Sequence, residues 1–340
     1  MELRLGFVGF GNVARAFARL LRSNGPHLDS RLRWRTTAIA TANHGCILSD
    51  SGIDLNHAAE VCEKGGSLLG LPATIDAGDV DRLIDRCEAD VIFETTPLNP
   101  DDGEPAINYI RSALDRRINV VTANKGPLAF AYHDLRELAA LRGVRFRFEG
   151  AVMDGTPVFN MVERCLPAVE ILGFEGVLNS TTNHILTEMQ AGCSFDESLA
   201  DAQRLGIAEA NADYDIDGWD AAVKAVALAN VLMKADTRPA QVERYGIRGI
   251  THRQLQEAAN KDCAIRLVAR ASLSAGGLKI SVAPETVPLS SPLGAANGRS
   301  NVLVLQTDLM GQLAMFEIDP GIEQTAYALL SDLLMIHEVS

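Results

Sequence analysis

The stretch DYDIDGWDAAVK, residues 213–224, places four aspartates and one lysine within twelve positions. Acids at its first, third and fifth positions, with glycine at the sixth, match the opening of a calcium-binding loop. Such a loop closes at its twelfth position with a glutamate that grips the ion through both oxygens. Here that position is Lys224. A cation standing where the strongest cation ligand belongs argues for a different chemistry, a polar pocket in which acids and one ammonium handle an organic substrate. Asp220 and Lys224 are four apart in a stretch with helical spacing, so they project from one face. An exposed ion pair would share this spacing, but the apolar neighbours Val223, Val226 and Ala227 favour a pocket edge.

A second lysine has a similar claim. Val120-Val121-Thr122-Ala123-Asn124-Lys125 reads as a buried strand ending in a lysine, and ligands of open α/β sheets gather at the carboxyl ends of strands. Position alone does not separate this role from that of a surface lysine. A third candidate lies near the N-terminus, where Gly9-x-Gly11-x-x-Ala14 follows a short apolar strand and opens a helix with Val13, Phe17, Leu20 and Leu21 on one face. In that context the glycines permit a tight turn and close approach of a pyrophosphate, which the free amides of the helix N-terminus attract. The helix is expected to stop near Asn24-Gly25-Pro26. At the end of the second strand stands Ala40-Thr41-Ala42-Asn43-His44, with neither the acid usual for NAD nor the arginine frequent for NADP. The choice of dinucleotide stays open.

The elements that must position these residues are legible as alternating strands and helices. Strands are expected at 3–8, 32–40, 90–94 and 119–122, with helical stretches such as 105–114 between them. That alternation implies a doubly wound, Rossmann-like parallel sheet over residues 1–143. From Val144 the pattern shifts to an α+β second domain, 144–300, with strands at 145–149, 170–178, 264–273 and 278–283 and an open sheet available for dimerisation. Residues 284–298, rich in Pro, Ser and Gly, read as a loop returning to the first domain, which 301–340 would complete with strands at 302–305 and 313–318 and a helix over 321–337.

Composition bounds the function. A chain of 340 residues that is 47% hydrophobic and 22% charged has the make-up of a soluble globular protein of two domains. A formal net charge of -13 excludes a nucleic-acid binder of the ordinary basic kind. Six scattered cysteines without a C-x-x-C pair read as buried thiols in a reducing compartment. The N-terminus runs straight into the glycine turn with no leader, and no apolar run reaches the length of a membrane span. The expectation is a cytoplasmic protein with a small-molecule substrate and neither nucleic-acid nor membrane partners.

Taken in order, GFVGFGNVA (6–14), TPLNPDDGEPA (96–106), VVTANKGPLA (120–129), NSTTNHIL (179–186), AEANADYDIDGWDAAVK (208–224) and QTAYALLSDLL (324–334) resemble homoserine dehydrogenase over nearly the whole chain. The resemblance implies interconversion of homoserine and aspartate 4-semialdehyde with NAD or NADP, a step of threonine and methionine biosynthesis. It also implies a homodimer or homotetramer and no separate regulatory domain. Matched motif to motif, Lys224, Lys125 and Asp220 would be catalytic. Glu209, Asp215, Asp220 and Thr182 would hold the substrate, and Gly9, Gly11, Asn12, Val13, Thr96 and Lys125 the dinucleotide. A monovalent cation such as Na+ would sit mainly on backbone carbonyls of the segment that carries Glu149, Val152, Asp154 and Thr156, with the Glu149 side chain added.

Within that resemblance the acids acquire a purpose. Glu209 and Asp215 would pair with the α-ammonium of homoserine, while Asp220 and Lys224 would hold its hydroxyl. Oxidation sends a hydride to the nicotinamide and needs a base for the hydroxyl proton. A free lysine is mostly protonated at neutral pH, so burial or the second charge of Lys125 would have to promote proton loss against the pull of Asp220. A rate of oxidation that rises towards alkaline pH is expected. Three departures from the family pattern stand out: Met153-Asp154 in a segment usually richer in glycine, Ser180 for glycine, and Ile318-Asp319-Pro320-Gly321-Ile322-Glu323 with one glycine left. They motivate two alternatives, a dehydrogenase of another small amino-acid alcohol and a non-catalytic dinucleotide-binding sensor. Both lysines speak against the sensor. His184 is read as a helix-packing residue.

Overall fold

The structure is a computed structural model that describes residues 2–23, 32–274 and 276–338. The chain divides into one compact unit formed by Met1–Pro157 and Gly321–Ser340 and a second formed by Val158–Pro320.

In the first unit, β1 (Glu2–Val8), β2 (Arg33–Ala40), β3 (Cys46–Leu48), β4 (Ile75–Asp76), β5 (Val91–Glu94), β6 (Asn119–Thr122) and β7 (Phe146–Arg147) form one sheet in the order β4-β3-β2-β1-β5-β6-β7. The run β2-β1-β5-β6-β7 is parallel, and β3 and β4 add antiparallel at one edge. Strand order reverses between β1 and β5, the switch point at which such sheets bind ligands. The centres of these strands are apolar and buried, with Leu5, Phe7, Ile39, Val91, Phe93, Val120 and Val121 in the core. Phe7, Phe17 and Phe93 stack at the centre, with ring centroids 5.2 Å apart for Phe7 and Phe93 and 4.8 Å for Phe17 and Phe93. The stop signal at residues 24–26 lies outside the described residues.

The first unit is larger than the sequence pattern indicated at its middle and smaller at its end. The alternation at 145–149 yields only the two-residue strand β7, which pairs with β6, and the chain then tightens into a single helical turn, Glu149–Ala151. The division therefore falls near Pro157 and not at Val144. At the C-terminus only the helix Ile322–His337 returns. It buries Ala326, Leu329, Leu330, Leu333 and Ile336 in the core shared with Phe17 and Leu21 of the helix Asn12–Ser23.

The second unit carries a six-stranded sheet, β13-β12-β8-β10-β11-β9, made of β8 (Ile171–Val177), β9 (Glu243–Arg244), β10 (Cys263–Ser274), β11 (Gly277–Pro288), β12 (Asn301–Thr307) and β13 (Gln312–Glu317). The strands at 301–317 belong here and not to the first unit. β12 is nearly buried throughout and lies between β13 and β8, a place that requires partners on both edges. Residues 284–298 likewise stay in this unit. Their first five extend β11, and Leu293 and Ala296 enter a core with Val177, Val268, Val302 and Val304. The helices Ser180–Gln190 and Trp219–Leu232 belong to the same unit and bring the acid-rich segment with them.

Candidate active site

In the first unit the carboxyl ends of β1, β5 and β6 gather three loops. Gly9, at φ 85°, is locked into the turn after β1, and a Cβ added there would lie 2.7 Å from the carbonyl carbon of Thr95. Glycine is required by this approach as much as by its left-handed conformation. The Gly9 amide donates to Ala40 O at 3.0 Å, and Thr95 Oγ1 donates to Gly9 O at 2.9 Å. Gly11, by contrast, has open space where a side chain would stand, as a pyrophosphate needs. Asn12 opens the helix Asn12–Ser23 and accepts from Arg15 Nη2 at 2.6 Å, and Val13 follows it.

Behind these loops lies a residue that the sequence reading passed over. Glu94, the last residue of β5, is fully buried. One of its oxygens accepts from the Thr96 amide at 2.8 Å and from the Thr96 hydroxyl, and the other accepts from Thr122 Oγ1 at 2.6 Å. Burial pushes the Glu94 carboxyl above the usual carboxylate range, against these three hydrogen bonds. Thr122 Oγ1 in turn accepts from the Asn124 amide at 2.9 Å, while the Asn124 side chain donates to Thr96 O at 3.2 Å and accepts from the Gly126 amide at 2.9 Å. Lys125, half-buried, stands between these anchored residues at the start of the helix Gly126–Phe130.

The segment expected to hold a cation is also part of this unit. Glu149 and Val152 are buried. The Glu149 amide donates to Asp332 Oδ2 at 2.8 Å, and the Thr325 hydroxyl donates to Asp154 Oδ1 at 2.6 Å. Asp154 has φ 40° and Thr156 closes the turn onto Met153 O at 2.8 Å. Aspartate tolerates the left-handed region better than most residues, which explains how it stands in a place usually given to glycine. Met153 is a core residue. Among the described residues, no group of three or more His, Cys, Asp or Glu side chains is arranged to hold a metal ion.

In the second unit the acids of 213–217 part company. Asp213 and Asp217 turn to Arg248, Asp217 with its Oδ1 at 2.7 Å from Nε. Asp215 faces the other way. Its Oδ1 accepts from Asn179 Nδ2 at 2.8 Å, and the same nitrogen donates to Asp220 Oδ2 at 2.9 Å. Asn179 Oδ1 accepts from both the amide and the hydroxyl of Thr182, each at 2.8 Å, so this amide has all four of its hydrogen bonds made and one orientation open to it. Asp220 Oδ2 also meets Lys224 Nζ at 3.1 Å, and Nζ donates to Leu178 O at 2.8 Å. With side chains 9% and 16% exposed, the Asp220–Lys224 pair is no surface ion pair. Burial, and after it the charge of Asp220, raises Asp215 above the ordinary range.

The structure thus brings Asp215, Asp220 and Lys224 together and adds Asn179 and the carbonyl of Leu178. Thr182 serves as the inner support of Asn179. Glu209 is not gathered: it is exposed, and among the described residues its carboxylate has no hydrogen-bond or ion-pair partner. Ser180 Oγ donates to Asn301 Oδ1 at 3.3 Å, and His184 Nε2 lies 3.1 Å from Asp201 Oδ2, tying two helices. In the altered turn Asp319 takes φ 45° and its Oδ1 lies 3.5 Å from Arg299 Nε. Asn179 was visible as the first residue of NSTTNHIL, where it reads as a helix cap, and capping is half of what it does.

Comparison with known proteins agrees with both halves. The family model described as homoserine dehydrogenase matches residues 157–334, and the one described as homoserine dehydrogenase, NAD binding domain, matches residues 9–149. An NAD(+)-dependent homoserine dehydrogenase of Pseudomonas canavaninivorans is 35% identical over 99% of this chain and 97% of its own. A homoserine dehydrogenase of Methanocaldococcus jannaschii is 36% identical over 97% of each chain. Among solved structures, a putative homoserine dehydrogenase from Archaeoglobus fulgidus superposes with a TM-score of 0.87 at 34% identity, covering 98% of this chain and 99% of that one. A hyperthermophilic archaeal homoserine dehydrogenase in complex with NADPH gives a TM-score of 0.83 at 29% identity over 100% and 99% of the two chains. With a Rossmann-type unit, a buried acid–lysine cluster and these likenesses along its full length, the chain belongs to the homoserine dehydrogenase family of NAD(P)-dependent oxidoreductases.

Proposed function

We propose that the Asn179–Asp215–Asp220–Lys224 cluster is where this enzyme holds homoserine for oxidation to aspartate 4-semialdehyde. The observation that carries the reading is the double grip of Asn179 Nδ2 on Asp215 and Asp220, which keeps two carboxylates side by side with an ammonium 3.1 Å from one of them. Asp215 receives the substrate α-ammonium, whose charge relieves the crowding of the two acids. Asp220 and Lys224 take the hydroxyl. Asp220 favours the ammonium form of Lys224, which suits donation of a proton to the aldehyde in the reducing direction; in oxidation the lysine must first release a proton, so the rate climbs with pH. Glu209 is assigned to the substrate α-ammonium beside Asp215, from an exposed position.

NAD or NADP occupies the turn at Gly9, Gly11, Asn12 and Val13 together with Thr96 and Lys125, and when bound it accepts or supplies the hydride. The oxygens of Glu149, Val152, Asp154 and Thr156 are hard donors of the kind that suit a monovalent cation such as Na+, which would brace this turn. Homoserine, rather than another amino-acid alcohol, is supported as substrate by the likeness to homoserine dehydrogenases along the whole chain. The enzyme works as a homodimer or homotetramer in the cytoplasm. Support for assembly comes from the edge strand β13, where Phe316 is 45% exposed, and support for a reducing compartment from six unpaired cysteines, of which Cys46, Cys62 and Cys87 are buried as expected while Cys165 is exposed and Cys193 and Cys263 are partly exposed. No helix among the described residues is long and apolar enough to cross a membrane. Reduced nicotinamide formed from NAD or NADP only when homoserine is added tests the substrate; formation with other amino-acid alcohols but not homoserine would overturn it.

A further inference from the structure

We propose that Glu94 is a positioning residue for the dinucleotide end of this enzyme, a buried carboxylate that sets the loops bearing Thr96 and Lys125 relative to the Gly9 turn. This rests on the assignment of Thr96 and Lys125 to the dinucleotide. Glu94 is fully buried and acts through its neighbours. Its two oxygens face donors from two different segments: the Thr96 amide and hydroxyl in the loop after β5 on one side and Thr122 Oγ1 at the end of β6 on the other. Thr95, one residue along, carries the arrangement to the Gly9 carbonyl, and Thr122 carries it to the Asn124 amide. Asn124 closes the circuit by donating to Thr96 O and accepting from the Gly126 amide, which brackets Lys125 on both sides.

The direction of these hydrogen bonds fixes what is asked of the side chain at position 94. Three donors from two residues point at it, and the Thr96 amide cannot reverse. Two oxygens that both accept are thus what these loops require, and an amide, with one oxygen and one NH2, is not their equivalent. In Glu94→Gln the glutamine oxygen must face the Thr96 amide. Its NH2 then meets Thr122 Oγ1, whose own hydroxyl loses its acceptor, and the link to Asn124 slackens.

The test compares wild type, Glu94→Gln, Thr122→Val and the double variant. Affinity for NAD and NADP is measured by titration, kcat and KM with homoserine as substrate, and thermal unfolding as a control. Because displacements of the order of 1 Å near reacting groups can cost about a hundredfold, the expected result is dinucleotide binding weakened by about tenfold in Glu94→Gln and kcat lowered. KM for homoserine stays near wild type. The double variant is expected to be no worse than Glu94→Gln, since both substitutions cut one circuit. Dinucleotide affinity and kcat within about twofold of wild type in Glu94→Gln, or losses that simply add in the double variant, would overturn the proposal. Should Glu94→Gln not fold, Thr122→Val decides by the same readings, wild-type values counting against. A wild-type protein that binds dinucleotide but leaves homoserine unoxidised would sink the substrate assignment and not this one, which is read from dinucleotide affinity.

Discussion

Replacing Asp215 by asparagine is expected to make the ligand-free enzyme more stable and a worse enzyme at once. Asn179 Nδ2 lies 2.8 Å from Asp215 Oδ1 and 2.9 Å from Asp220 Oδ2, so the two carboxylate oxygens are within about 6 Å of each other. Unit charges at that spacing repel by about 3 kcal/mol at an effective dielectric constant of about 20. Lys224 offsets part of this, and partial exposure of Asp215 screens more. Asp215→Asn keeps an oxygen for Asn179 and removes the charge, which leaves a net gain of about 1 kcal/mol, or about 2–4 °C in Tm for a domain of this size.

The pH dependence follows from the direction of the shift. The folded-state pKa of Asp215 is raised, by burial first and by Asp220 second. Its contribution to stability is therefore fully present below the unfolded value of about 3.9 and is lost as pH rises through the folded value. The two proteins should melt alike in acid and separate towards neutral pH, with the variant above. In binding the sign reverses, because the substrate ammonium loses a charge-assisted hydrogen bond worth about 1.5–3 kcal/mol, and KM for homoserine should rise between about tenfold and a hundredfold. Thermal melts across pH 3 to 8, an interval of about five units, together with steady-state kinetics check both halves. A variant less stable than wild type at neutral pH, or one with an unchanged KM, refutes the reasoning.

Other substitutions address the remaining parts. Gly9→Ala should abolish dinucleotide binding and lower stability by at least about 2 kcal/mol, because its Cβ would stand 2.7 Å from Thr95 in a backbone conformation at φ 85°; titration with NAD and NADP and a thermal melt decide. Lys125→Ala should leave the fold intact, since Asn124 and Thr122 anchor the loop around it, yet slow homoserine oxidation by about a hundredfold or more. Homoserine oxidation by the unaltered enzyme should accelerate as pH is raised above neutrality, and a flat profile would remove the proton-release step assigned to Lys224.

Much of the fold was legible because buried parallel strands leave a simple trace. Val91–Glu94 and Asn119–Thr122 are short apolar runs between helical stretches, and the glycine turn follows β1 directly. Three-residue β3 and two-residue β4 leave too little pattern to read. The strands at 301–317 could be seen as strands but not assigned to a sheet, since alternation states which face is buried and not which neighbour supplies the hydrogen bonds. The same limit applies to the site. Asp220 and Lys224 were readable from their four-residue spacing, whereas Asn179 and Asp215 meet only through the fold, 36 positions apart. Glu94 looked like the polar end of a strand. Glu209 was expected beside the other acids because it is near them in sequence, but Asp215 follows a helical turn that carries it inward while Glu209 stays at the surface.

The most direct test of the account is turnover in Lys224→Met, followed as absorbance of reduced nicotinamide with homoserine and NAD or NADP, alongside dinucleotide titration to show that the first unit still binds. Removal of the one ammonium that meets both Asp220 and the Leu178 carbonyl should cut kcat by about a thousandfold while dinucleotide affinity holds. A variant that binds dinucleotide and oxidises homoserine at the wild-type rate contradicts the assignment of the chemistry to this cluster.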